Sequence, residues 1–176
     1  MVRQSSTVSR RSPGIRLLIP LLALSICLNG CRDIAEAEAS DSMLLAEKAL
    51  QQENWQKADE LFLEIILLDP TRAEAWIGRG MTQTRLQSPD GAREHYEEAL
   101  RLYEEQLEED PNSKHLLRGQ VMLLVLLNRK TEAQTIAEAA QSHPDPVFAR
   151  ELLASVEGTA RRFPDMILPP KETSEN

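Results

Sequence analysis

The chain has 176 residues, of which 41% are hydrophobic and 4% aromatic, and its formal net charge is −8. This length supports one domain with its own core and is too short for two large ones. Four of the 20 basic residues and none of the 28 acidic residues lie in residues 1–30, so the remaining chain carries 16 basic and 28 acidic residues, a net charge of −12. A body this acidic repels phosphate groups, which argues against nucleic acid or an anionic membrane surface as its partner.

The first 30 residues differ in composition from everything that follows them. Arg10, Arg11 and Arg16 precede an apolar stretch from Leu17 to Leu28. That stretch is about a dozen residues long, whereas a membrane-spanning helix needs roughly 20. A basic front followed by a short apolar run predicts a secretory signal peptide rather than a transmembrane helix.

The apolar run ends in Leu28-Asn29-Gly30-Cys31, which resembles the lipobox of bacterial lipoproteins. The resemblance implies that residues 1–30 are a signal peptide and that Cys31 becomes the N-terminus, carrying diacylglycerol and an N-acyl chain such as palmitate. Residues 31–40 would then be a lipidated tether, and two or three acyl chains give stable anchoring. In lipoproteins that stay in the inner membrane, an aspartate tends to follow the lipidated cysteine, whereas this chain has Arg32 there. The resemblance therefore implies the outer membrane, facing the periplasm. The alternative is an ordinary signal sequence that leaves Cys31 as a free thiol.

The rest of the chain shows the apolar spacing of amphipathic helices and is rich in strong helix formers. Pro89 and Pro146 suit first-turn positions of helices, where the N–H that proline lacks is not needed. The Asp-Pro pairs at 69–70 and 110–111 end helices, because the residue before a proline avoids the α conformation. The predicted helices are at about 41–52, 55–68, 72–86, 89–109, 113–128, 130–142 and 146–162.

Three segments share one pattern, in which a polar turn leads to an alanine that is followed at +4 and +7 by apolar or small residues. Ala58 and Ala92 begin this pattern 34 residues apart, the period of the tetratricopeptide repeat. Residues 39–144 resemble that family, with Trp76 and Gly80 at its Trp and Gly positions. The resemblance implies an all-α fold, a tetratricopeptide-type α-solenoid of about three helix-turn-helix repeats with a C-terminal capping helix. The three sets are Ala58/Phe62/Ile65, Ala92/Tyr96/Ala99 and Ala133/Ala137/Ala140.

The second repeat departs from the family pattern in one place. Its closing proline is expected near Glu104 but occurs at Pro111, seven residues later. Seven residues are close to two helical turns, so the inward stripe of the helix is kept. We therefore expect the second helix of this repeat to be longer by about 10 Å, at 1.5 Å per residue.

The folded domain is predicted to span residues 41–162, and its last helix covers the end of the stack, which an open repeat array needs for solubility. The tail, residues 163–176, is expected to be extended or disordered unless Met166, Ile167 and Leu168 dock against the domain. The residues of the last helix that are predicted to face inward are Phe148, Leu152, Leu153 and Val156.

The sequence contains no catalytic or metal-binding constellation with the required spacing. His95, His115 and His143 lie far apart, and none pairs with another histidine or a cysteine at metal-ligand spacing. All three are expected at the surface or in a binding groove. A glycine-rich phosphate loop and a Gly-x-Ser-x-Gly elbow are also absent from the sequence. We therefore predict that the protein is not an enzyme, needs no cofactor or metal, and works by binding.

In the tetratricopeptide family the first helix of each repeat lines a concave groove that binds the partner. Methionine suits such a surface because it is flexible and polarizable, and core packing is an equal alternative. Arginines there either pair with an acidic group of the partner or are ordinary surface residues. Carried onto this chain, the partner-binding groove residues are Met43, Glu47, Ile77, Met81, Arg85, His115, Arg118 and Met122.

Together these features predict a membrane-anchored scaffold or adaptor lipoprotein that binds another envelope protein or peptide, for example in the assembly of pili, secretion systems or the outer membrane. It would contact the membrane through the lipid on Cys31 and would bind no nucleic acid. The alternative is an immunity or inhibitor lipoprotein that neutralises a periplasmic toxin or effector, since the acidic body suits a basic target.

Overall fold

The computed structural model describes residue 39 and residues 41–170, and within this part of the chain every regular element is helical. Helix α1 covers 41–51. The predicted all-α class is therefore confirmed, and the predicted helix ends agree with the observed ones to within two residues if the 3-10 turn after α6 is counted with that helix. The helices that follow are α2 (Trp55–Leu68), α3 (Ala73–Arg85), α4 (Pro89–Glu109), α5 (Lys114–Leu126), α6 (Lys130–Ala139), which continues as a 3-10 turn, Ala140–Ser142, and α7 (Pro146–Arg162).

The predicted signal peptide, Cys31 and most of the predicted tether lie outside the described residues. Ala39 is described, and it is helical and fully buried. The end of the predicted tether therefore already belongs to the packed domain. In the described part of the chain, no helix combines the length and the hydropathy that a bilayer crossing would require.

The same backbone turn joins the two helices of every pair. Glu53, Gln87 and Asn128 each adopt a positive φ, of 56°, 60° and 62°. A residue in this left-handed conformation ends a helix by letting a later amide bond back to the last turn. Three such turns, 34 and 41 residues apart, define three helix pairs in phase. The closing bonds are Asn54 N to Ala49 O at 2.9 Å, Ser88 N to Gln83 O at 2.9 Å and Arg129 N to Leu124 O at 2.8 Å.

Contacts between an aromatic ring on one helix and the backbone of a glycine on the next helix hold successive helix pairs together. The ring of Phe62 on α2 lies against Gly78 on α3, and the ring of Tyr103 on α4 lies against Gly119 on α5. A Cβ at either glycine would be closer than 3.0 Å to ring carbons, which is steric overlap. Glycine at these two positions therefore allows a closer approach of the helices than any other residue would.

The lengthened helix of the second pair is confirmed, since α4 has 21 residues where α2 has 14. Its extra length contributes to packing. Tyr96 lies against Gly80 within the pair, and Tyr103, seven residues on, lies against the next pair. Because seven residues make close to two turns, both rings lie on nearly the same face of α4.

Polar contacts also join the first pair to the second. The carboxylate of Asp59 on α2 accepts hydrogen bonds from Arg79 Nε at 3.2 Å and from Gln83 Nε2 at 2.9 Å, both on α3. Trp76 packs against the cores of both pairs, and its Nε1 donates to Pro70 O at 2.9 Å. These contacts fix the orientation of α3 on α2.

Helix α7 covers the end of the stack by packing on α5 and α6. Asp145 begins α7 by accepting from Val147 N at 2.9 Å and Phe148 N at 3.1 Å, and Lys114 Nζ lies 2.6 Å from the same carboxyl group. The Lys114 ammonium is the main cause that holds the pKa of Asp145 at about 2. Phe148, Leu152 and Val156 face inward as predicted, but the prediction for Leu153 is wrong, because it is 37% exposed.

Two glycines in helix interiors give opposite predictions for stability. Gly119→Ala is expected to destabilise the fold by roughly 1–3 kcal/mol, because the methyl group would overlap the Tyr103 ring. Gly158→Ala is expected to stabilise it by roughly 0.5–1 kcal/mol, because alanine is the better helix former and a Cβ there meets nothing within 4 Å. Urea denaturation measures both, and a midpoint for Gly119→Ala at or above that of the wild type would contradict the destabilising overlap with the Tyr103 ring.

Candidate partner-binding groove

The structure places the predicted groove residues in three different environments. Glu47, Arg85, His115 and Arg118 are exposed, whereas Met43, Met81 and Met122 are half-buried. Ile77 is only 9% exposed and belongs to the core. Its inclusion in the groove is therefore corrected. Ile77 follows Ala73 by four residues and precedes Gly80 by three, so it shares their buried face of α3.

The C-terminal segment packs on α3 and α5, the first helices of the second and third pairs. After α7 ends at Arg162, the chain continues through a 3-10 turn at Pro164–Met166 that contacts α3. Met166 and Leu168 are 3% and 2% exposed. The segment is therefore part of the packed protein as far as Pro170, the last residue described at this end.

Hydrogen bonds join the C-terminal segment to α5 and to α4. Leu168 N donates to Leu126 O, in the last turn of α5, at 2.8 Å. The guanidinium of Arg93, at the start of α4, donates to Pro169 O. Both acceptors are main-chain carbonyls, and one donor is a main-chain amide, so these bonds depend little on the side chains of the segment.

The two central methionines of the predicted groove contact this segment. Met81 and Met122 line a small apolar cavity of about 30 Å³ together with Leu126, Phe163 and Met166. Both methionines are half-buried against the core, and the chain's own C-terminal segment covers them. Their role in binding a partner stays a prediction. For residues 163–170 the docking alternative for the tail is observed, and residues 171–176 lie outside the described part.

Polar residues of the groove pair across neighbouring helices. His115 Nε2 on α5 lies 3.2 Å from Glu74 Oε1 on α3, and Tyr103 Oη donates to the same oxygen at 3.5 Å. Burial, with a smaller contribution from the Glu74 carboxylate, raises the pKa of Tyr103. These residues bridge the second and third pairs at the beginning of α3 and α5.

The two predicted groove arginines have intramolecular partners. Arg118 Nη2 lies 3.0 Å from Glu151 Oε2 on α7, and its guanidinium lies 5.1 Å from the Phe148 ring centroid. Arg118 thus helps to hold the capping helix. The Arg85 guanidinium lies 5.8 Å from the Trp55 ring centroid. It is exposed there and can still reach a partner.

The three histidines differ from the prediction that all lie at the surface or in the groove. His115 is exposed, and His143 is half-buried, with Nδ1 accepting from Asp145 N at 2.9 Å. The prediction for His95 is wrong, because it is only 8% exposed and its Nδ1 has no hydrogen-bond partner. Helical spacing from Ala92 and Ala99 could have found this position. Among the described residues, no cluster of three histidine, cysteine or acidic side chains could hold a metal ion.

Comparison with known proteins adds to this description. Residues 73–106, which cover α3 and most of α4, match the tetratricopeptide repeat family. A solved complex, the TPR2B domain of yeast Sti1 with pHsp70, is similar at 18% identity and a TM-score of 0.47, covering 72% of this chain and 98% of that one. No curated protein sequence matches the chain significantly.

Burial of His95 predicts a loss of stability in mild acid. Desolvation, aided by the positive charge of Arg79, lowers the pKa of His95 from the ordinary 6.5. Because the unfolded chain then binds the proton more readily, this residue costs no stability above about pH 6.5 and lowers the free energy of unfolding progressively below it. His95→Gln is expected to flatten this decline, measured by urea denaturation at pH 7.5 and 5.5. Equal declines in the variant and the wild type would contradict the prediction.

Proposed function

We propose that this all-α solenoid of tetratricopeptide type is a scaffold or adaptor lipoprotein of the bacterial envelope, holding another envelope protein or peptide in its concave groove. One observation carries the proposal: a polypeptide segment, the chain's own residues 163–170, already lies on Met81 and Met122. A surface that takes one segment through apolar anchors and main-chain hydrogen bonds can take another in the same way.

The half of the groove nearer the N-terminus is proposed to make the first contact with the partner. Glu47 on α1 and Arg85 on α3 are both exposed there. They carry opposite charges, so they can orient a partner segment through charge-assisted hydrogen bonds. The proposal is one of binding rather than catalysis, because tetratricopeptide repeats typically serve as interaction modules.

The lipobox resemblance at residues 28–31 supports anchoring through lipid on Cys31. Since Ala39 is already buried in the domain, only residues 32–38 separate the proposed lipid from the fold. Seven residues reach at most about 25 Å at roughly 3.5 Å each. The groove would therefore work close to the membrane surface, where the partner is an envelope protein at that surface or one that arrives there.

The anchor is tested by mass spectrometry of the mature protein, expressed from its full sequence in a Gram-negative host. We expect a chain that begins at Cys31 and carries diacylglycerol and an N-acyl chain. In the Cys31→Ser variant, residues 1–30 should remain attached, because lipidation precedes cleavage. A free thiol at Cys31 in the wild type would refute the anchor and leave the groove proposal standing.

The groove is tested by photo-crosslinking in intact cells. A photoreactive amino acid at Glu47 or Arg85 is expected to give the same crosslinked envelope protein from both positions. Matched controls are Glu64 on α2 and Glu97 on α4, which are exposed and charged but lie on second helices. Crosslinking of that protein from the control positions with equal yield would place the partner elsewhere and contradict the proposal.

A further inference from the structure

We propose that residues 163–170 are an intramolecular ligand of the groove, which reproduces the chemistry of the partner segment and is displaced when the partner binds. This inference rests on the proposed function and adds to it the kind of segment recognised. It also adds a mechanism that closes part of the groove in the free protein.

The segment contacts the domain as a bound peptide would. Its two buried anchors, Met166 and Leu168, are two residues apart, with the half-buried Ile167 between them. Met166 ends the 3-10 turn, and Ile167 after it has extended backbone, with φ −73° and ψ 122°. With this backbone both anchors face the domain, while Ile167 between them stays half-buried. The amide of the second anchor donates to Leu126 O at 2.8 Å.

Prolines at both ends make the segment easy to order. Pro164 precedes the anchors, and Pro169 and Pro170 follow them directly. Proline has a fixed φ and no N–H to leave unbonded, so the backbone loses little entropy on docking. A partner segment of the same kind is therefore short and flanked by proline, with apolar residues at i and i+2.

Detachment of the segment is compatible with the rest of the fold. It follows the last helix, and the contacts among α2 to α7 do not pass through it. Terminal segments of this kind open locally, at a smaller cost than global unfolding. Helices α2 to α7 can thus remain stacked while the groove is exposed.

The fit between segment and groove is incomplete. The cavity of about 30 Å³ lies between the two groove methionines and the side chains of Phe163 and Met166. Atoms that line an unfilled space lack dispersion contacts on one side. Because methionine side chains adapt their shape, a partner segment with a larger apolar anchor at the Met166 position can fill this space and bind more tightly than the tail.

Competition by the tail has a measurable consequence. If the groove is open only in a fraction of molecules, the apparent affinity for a segment added in trans falls by that same fraction. Weakening the tail without changing the groove must then strengthen binding of the added segment. The groove residues themselves need no substitution, which keeps this test separate from that of the partner-binding residues.

The experiment measures binding of a fluorescent peptide with the sequence of residues 162–170 to the full chain by anisotropy. In the variant Met166→Ser/Leu168→Ser the tail loses both anchors, and the peptide is expected to bind at least about tenfold more tightly than to the wild type. The control, Asp165→Ser, changes an exposed residue of the same segment that is neither an anchor nor a proline, and it should bind as the wild type does. A peptide with serine at both anchor positions should bind to none of them.

Equal affinity of the peptide for the wild type and the anchor variant, or no binding to a variant that keeps its helical circular dichroism, would overturn the inference. If the anchor variant fails to fold, hydrogen exchange of the wild type provides the test instead. The Leu168 amide is expected to exchange faster than the amides in the middle of α5, because it is released by local opening. If the Leu168 amide exchanges only through global unfolding, the C-terminal segment is an integral part of the folded domain, and the inference is overturned as well. Neither result depends on the envelope partner, so the proposed function would still be tested by crosslinking.

Discussion

The contact of an aromatic ring with glycine backbone is the interaction on which the remaining structure depends. It occurs between the first and second helix pairs, at Phe62 and Gly78, and again between the second and third, at Tyr103 and Gly119. The large flat ring covers the backbone of the facing helix and excludes water from it, while the absence of a Cβ lets the helices approach closely. Each contact therefore fixes both the spacing and the register of neighbouring pairs.

This register builds the groove. Gly78 and Gly119 are 41 residues apart, and Met81 and Met122 are separated by the same number. Because each methionine follows its glycine by three residues on a helix of fixed geometry, locking the glycines also aligns the methionines. The two side chains then form one apolar surface across α3 and α5. The C-terminal segment lies on that surface, so its position is a consequence of the ring contacts made by the same two helices.

The local features of the fold were predictable from the sequence, because they depend on neighbouring residues. Asp-Pro pairs end helices whatever packs around them, and the seven-residue insertion lengthened α4 because it preserved the inward stripe. The three repeats followed from the spacing of alanines, which pack where no larger side chain fits. These signals need no knowledge of which helix faces which.

The candidate site was harder to predict, because groove residues and core residues have the same helical spacing and differ only in which other part of the chain covers them. Ile77 and Met81 are both on α3, yet Ile77 belongs to the buried core and Met81 is covered by the tail. His95 has the helical spacing from Ala92 and Ala99 that predicts a buried position, but histidine is polar and was therefore expected at the surface. Met166, Ile167 and Leu168 are apolar residues in a polar tail, but the sequence alone did not indicate which surface of the domain they contact. Long-range contacts decide each of these cases.

The most direct test of a polypeptide-binding groove occupied by the tail is methyl NMR of the full chain, labelled with ¹³C at its methionines. The sequence contains only five methionines, so each methyl signal can be assigned by substitution. We predict nuclear Overhauser contacts from the Met166 methyl group to those of Met81 and Met122, and their loss when the groove takes a segment in trans. A Met166 methyl signal with no such contacts, and with the narrow line of a freely moving tail, would contradict the account.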